Sequence, residues 1–234
     1  MEGIVSEIRQ QLIEKASSET ERSSQRFFKS EIKCYGVRNP DVHTIAKAAY
    51  KKFNAKDKEE IFAVCETLFR SGYNEEAIVA ADWSFLAKRY LQPTDIQRLE
   101  KWIDNYITNW ASCDAFCTKT LGYFITKYPE LIDHLKNWTT SRNRWMRRAA
   151  AVTLVAPARR GKFLNDILEI ASALLRDTDD LVQKGYGWML KEASKPHQEE
   201  IFDFVIQHKN EMPRTALRYA IEKMPKDLKE IAMA

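Results

Sequence analysis

The sequence predicts an all-α chain of helical hairpins stacked as a solenoid, and three observations predict it. Apolar residues recur at spacings of three and four, as in Ile61, Val64, Cys65, Leu68 and Phe69. Seven glycines and seven prolines in 234 residues are too few for the many turns of an all-β protein. No stretch alternates strictly enough to read as a strand. A hydrophobic content of 44% with 11% aromatic supplies a core and excludes wholesale disorder.

The elements follow in order. Helices are expected over 3–16 and 19–33, then over 40–53, where Pro40-Asp41 opens the segment. Proline's fixed φ suits a first turn, and a carboxylate there complements the helix dipole. The spacing of Ile61 to Phe69 places the next over 57–71, followed by 74–90. Pro93-Thr94-Asp95 starts 94–107; 110–127 comes next, and Pro129-Glu130 starts 129–138. Residues 141–155 precede 162–175, where Leu164, Ile167, Leu168, Ala171, Leu174 and Leu175 form one stripe. The last three are 178–193, 197–209 after Pro196, and 213–223 from Pro213. Short connections make these hairpins.

The hairpins repeat. Ile78, Asp114, Arg148 and Lys184 are offset by 36, 34 and 36 residues. A period near 35 with two helices per unit marks an α-solenoid of HEAT-like repeats, expected as a single domain over 1–234, curved with a concave basic groove. Each polar member of this ridge has an indole within one turn: Trp110 beside Asp114, Trp145 beside Arg148, Trp188 beside Lys184. Three indoles, a carboxylate and two cations are thus expected on one groove. Gly185 and Gly187 each cost a helix interior about 1 kcal/mol relative to Ala, so something must approach closely there.

Charge is concentrated rather than large. The net charge is +4, yet residues 134–165 hold no acid and eight cations: Lys136, Arg142, Arg144, Arg147, Arg148, Arg159, Arg160 and Lys162. A focused field rich in arginine attracts a polyanion, and nucleic acid is the expected partner. The longest apolar run, Ala149 to Ala158, is half of what a membrane span needs, and the acidic start is no secretory signal. The reading is therefore a soluble, cytoplasmic chain, nucleoid-associated when acting on DNA. Cys34, Cys65, Cys113 and Cys117 form no CxxC pair and His43, His134, His197 and His208 are scattered, so buried thiols are expected and no metal or cofactor.

Several ordered pieces carry a resemblance: Arg26-Phe27-Phe28-Lys29, Tyr35-Gly36-Val37-Arg38-Asn39-Pro40, Trp110-Ala-Ser-Cys-Asp114, Leu121-Gly122, Tyr128-Pro129-Glu130-Leu131, Trp145-Met-Arg-Arg148 and Gly187-Trp188-Met-Leu-Lys191-Glu192. Together they resemble the AlkD-type DNA alkylation repair glycosylases, built of HEAT-like repeats. The resemblance implies that Asp114 is the catalytic carboxylate, Trp110 and Trp188 its aromatic walls, and Arg148 a cation on the DNA backbone. Lys184, Trp145, Arg144, Arg147 and Lys29 complete the expected DNA-binding set. Asp41-Val42-His43 departs from the basic residues common after that proline, and Ala111 from a common acid.

The activity so implied is excision of purines alkylated at ring nitrogens three or seven from duplex DNA, in base excision repair, by a monomer. Such bases are cationic and leave easily, so one carboxylate facing an oxocarbenium-like sugar suffices. Two other classes stay open: a non-catalytic protein binding distorted or branched DNA, which would need the cations but not Asp114, and a HEAT scaffold for acidic proteins, which would not need the tryptophans. No helix-hairpin-helix glycine motif, iron–sulfur cysteine cluster or Walker loop is present in the sequence.

Overall fold

A computed structural model describes residues 2–28, 30–54 and 57–234. Among these residues every regular element is helical, apart from one isolated parallel bridge between Lys33 and Tyr73. The chain packs as two compact units, Met1–Phe116 and Cys117–Ala234. No helix is long and apolar enough to cross a membrane among the described residues.

The first unit holds α1 (Glu2–Glu14), α2 (Ser18–Arg26), α3 (Asn39–Lys52), α4 (Lys58–Arg70), α5 (Asn74–Leu86), α6 (Ile96–Tyr106) and α7 (Trp110–Phe116), with short 3₁₀ turns at Lys88–Tyr90 and Pro93–Asp95. Local chemistry starts several of them. Ser17 caps α2 by accepting from the Thr20 N–H, Asp57 caps α4 by accepting from Glu60, and Pro40 sits in the first turn of α3. Helices α3, α5 and α7 pack in succession, while α4 lies against α5 and α6. Enclosed by three neighbours, α5 is buried from Glu75 to Ala81 almost all round.

The second unit opens on a π-helical turn, Cys117–Leu121, followed by α8 (Gly122–Lys127), a 3₁₀ turn at Pro129–Leu131, α9 (Ile132–Trp138), α10 (Arg144–Val152), α11 (Val155–Ala158), α12 (Leu164–Ala173), α13 (Asp180–Ala193), α14 (Gln198–His208), α15 (Arg214–Ala220) and α16 (Lys226–Met233). Helices α10, α13 and α15 pack in succession; α9 and α12 back them. Each unit therefore stacks hairpins as the solenoid reading expects.

The repeat is also written in side-chain hydrogen bonds. The Trp83 indole donates to the Ala46 carbonyl 37 residues back, and Lys58 reaches Asp95 at the same separation. In the second unit Arg144 reaches Asp179 across 35 residues, and Arg159 reaches Glu192 across 33. Each bond joins a helix to its counterpart one repeat away.

Several boundaries differ from expectation. The helix expected over 19–33 stops at Arg26. The Gln25 side chain donates to the Ser30 carbonyl and accepts from the Ile32 N–H, and the following strip is drawn off by Glu75, whose carboxylate accepts from the N–H groups of Tyr35, Gly36 and Val37 at 3.0, 2.9 and 3.1 Å. The helix expected over 141–155 breaks after Val152 because Pro157 has no N–H for the Thr153 carbonyl. That carbonyl faces Gly122, where a Cβ would lie 2.9 Å from it, so only glycine lets α8 pack there. The expected 110–127 helix holds the π turn at 117–121, and α16 lies beyond the last helix expected. Cys65, Cys113 and Cys117 are buried and Cys34 is half-buried.

Candidate nucleic-acid interface

The expected site residues fall into both units. In the first, α7 buries Ser112, Cys113 and Phe116, with the Phe116 ring 5.4 Å from Phe69 and 5.9 Å from Trp102. Asn109 caps this helix by accepting from the Ser112 N–H. Anchored that way, α7 leaves Trp110 and Asp114 half-buried, one turn apart on the remaining face. The Trp110 indole stacks on Phe28, with centroids 5.3 Å apart and planes at 23°. A cavity of about 310 Å³ opens beside it, lined by Phe27, Phe28, Asn39, Asn74 and Ala111 among others. A half-buried carboxylate one turn from an indole can face a cation without being dissolved in bulk water.

In the second unit half of the basic run, Lys136, Arg144, Arg147 and Arg159, is answered by acids one repeat later. Arg144 pairs with Asp179 at 2.6 Å and Arg147 with Asp177 at 2.6 Å. Lys136 meets Glu169 and Asp166 at 2.6 and 3.0 Å, which holds its ammonium well above its ordinary pKa. Lys184 pairs with Asp180 at 3.3 Å, within its own helix. Arg159 and Lys195 both bond Glu192; burial alone would raise that carboxyl, but the two hydrogen bonds overcome it and leave it below the usual range. Arg142, Arg160 and Lys162 are exposed, and no acid among the described residues pairs with them.

Arg148, expected on the DNA backbone, is buried. It is 5% exposed, sits between α10 and α13, and donates to the Leu181 carbonyl. Its side chain lies 3.3 Å from where a Cβ on Gly185 would be, so Gly185 makes room for this arginine. Gly187 is explained by packing too: a Cβ there would stand 2.6 Å from Tyr219 Cβ and 2.9 Å from the Ala216 carbonyl. The close approach expected at both glycines is that of neighbouring side chains and helices. Trp145 is half-buried with the Arg144 guanidinium 5.3 Å from its ring, and Trp188 is half-buried on α13. Lys29 lies outside the described residues.

Sequence reasoning missed the partners of the cations, because an acid-free run says nothing about what the next repeat brings beside it. It also missed Asn74 and Asn39 beside Trp110. The signal was present in Arg38-Asn39-Pro40, but amides carry no periodicity of their own.

A family model described as DNA alkylation repair enzyme matches residues 8–224. The chain belongs to the DNA alkylation repair enzyme family. Among solved structures, a member described as a predicted DNA alkylation repair enzyme from Enterococcus faecalis superposes with a TM-score of 0.80 at 16% identity, covering 91% of this chain and 98% of that one. The Pseudomonas fluorescens alkylpurine DNA glycosylase AlkC, bound to DNA containing an abasic site analog, superposes at 0.57 with 12% identity, covering all of this chain and 65% of that one. At such identities the likeness is one of fold. No curated protein matches the sequence.

Proposed function

We propose that the chain is an AlkD-type DNA glycosylase that removes purines alkylated at ring nitrogens three or seven from duplex DNA, with Asp114 as the catalytic carboxylate. The observation that carries this reading is the pairing of Asp114 and Trp110 on one turn of α7, both half-buried, in a member of this repair family. Alkylation at those nitrogens leaves the base cationic, so the glycosidic bond is weak before the protein acts. As it breaks, positive charge grows on the sugar, and a fixed carboxylate stabilises that charge and orients water toward it. The Trp110 indole offers its face to a cationic nucleotide, and Trp188 is a further DNA contact within the second unit. That residues 1–234 work as a single repeat domain is part of the proposal.

The duplex is held by cations that touch phosphate and carry no sequence information. Arg142, Arg160 and Lys162 are ready for that role, whereas Arg144, Arg147 and Lys184 must first exchange a carboxylate for a phosphate. Incubation with methylated duplex and chromatography of released bases tests the activity. Release of 3- or 7-methylpurines is expected; intact binding with no release would favour the non-catalytic DNA-binding reading.

A further inference from the structure

We infer that the first unit carries a protein-docking surface at the C-terminal end of α5, built on Leu86 and Tyr90 with a basic rim. Its occupant is a short acidic segment of a partner protein that bears a leucine or aromatic anchor. The surface lies away from the nucleotide chemistry proposed above. Asn74, at the start of α5, lines the cavity beside Trp110, whereas Leu86 ends the same helix. At a rise of about 1.5 Å per residue the two are about 18 Å apart along the axis.

The apolar part stands in water over a firm floor. Leu86 is 40% exposed, and Tyr90, across the 3₁₀ turn at Lys88–Tyr90, is 39% exposed. Phe85 beside them is half-buried. Beneath lies Trp83, fully buried, which meets Tyr50 edge-on at 5.3 Å and Phe53 at 5.4 Å. Burial, and next the neighbouring Tyr90, push the Tyr50 hydroxyl above its ordinary pKa, so α3 borders this surface as well. Tyrosine and arginine around an apolar centre are what protein interfaces favour, since rings already held in place lose little entropy when covered.

The rim sets the partner's charge. Residues 42–54 and 83–94 contain no acid and supply Lys47, Lys51, Lys52, Lys88 and Arg89. Lys88 lies 3.9 Å from the centroid of the Phe85 ring, and the Arg89 guanidinium 4.6 Å from that of Tyr90, so cations stand directly over the apolar surface. Lys52 pairs with Glu7 at 2.7 Å, but no acid among the described residues pairs with Lys47, Lys51 or Arg89. Carboxylates from a partner complement such a field. Duplex DNA would use the same cations, yet a phosphate gains nothing from Leu86, and Arg89 already donates to the Tyr90 hydroxyl. The aliphatic anchor decides for a peptide.

Selection of random peptides displayed on phage against the immobilised full chain tests the surface. Enriched peptides are expected to carry acids around a leucine or an aromatic residue, and a labelled one to bind the chain in fluorescence anisotropy. Leu86→Asp is expected to weaken that binding about tenfold and Arg89→Glu about fivefold, with both variants unfolding in urea at the parent's midpoint. Duplex affinity and base release should stay the same in both, so failure here leaves the glycosylase reading standing. No enrichment, enriched peptides without acids, or full binding by both variants overturns the proposal. Displacement of the peptide by paired duplex overturns it as well and assigns the patch to nucleic acid.

Discussion

Asp114 is held by the buried side of its own helix, and that is why a conservative change there is informative. Asp114→Asn preserves size and polarity while removing the charge opposite a developing sugar cation. Base release from methylated duplex is expected to fall about a hundred- to a thousandfold, and the affinity for undamaged duplex, read by gel shift, to hold or tighten slightly. Release at the parent's rate would mean another group does the chemistry. Gly187 offers a test of packing at the same scale. A methyl there must displace Tyr219 and the Ala216 backbone, so Gly187→Ala should destabilise the fold by about 1–3 kcal/mol in urea unfolding, despite alanine's better helix propensity. At this scale the sequence was informative where a residue's neighbours lie on its own helix. Trp110 with Asp114 could be read from a spacing of four. The burial of Arg148 could not, because its partner is the main-chain carbonyl of Leu181 on another helix.

Elements are joined by a few buried carboxylates. Glu75, at the start of α5 and 2% exposed, accepts from three consecutive N–H groups at Tyr35, Gly36 and Val37. Glu75→Gln leaves one acceptor where there were two and should cost about 2 kcal/mol, with faster proton exchange at those amides as the local reading. The link between α11 and α13 gives a pH dependence. The Glu192 carboxyl lies below its ordinary 4.5 in the folded state, so its contribution is present above that value and disappears as pH falls through the folded pKa. Parent and Glu192→Gln should therefore differ in urea midpoint near neutrality and converge in acid. Helices were legible from apolar spacing and proline, but their interruptions were less so. The π turn at 117–121 keeps the same stripe of residues as an unbroken helix, and the strip at Tyr35–Val37 is held by Glu75, some 40 residues away.

At the scale of the whole molecule, family membership and the all-α class agree with the period near 35 read from the ridge residues. The basic run was legible as charge but not as available charge, since carboxylates from the following repeat take up much of it. Replacing Arg142, Arg160 and Lys162 together by Ala should therefore account for most of the salt dependence of duplex binding assigned to this run. The log–log slope should flatten by about 0.9 for every phosphate left without its cation, and an unchanged slope would remove these residues from the interface.

The bonds that span one repeat have a further consequence. Arg176 reaches Glu211 across 35 residues and His197 reaches Gly161 across 36, so within the second unit these ties connect each hairpin to the next. Such a stack holds together as a one-dimensional chain of nearest neighbours, and a local loosening is passed on link by link. Disturbing the packing of α13 on α15 at Gly187 should raise amide exchange most in α15 and α13, less in α10, and least in α8. Damage to this fold has an address, and its effects fade with the number of hairpins crossed.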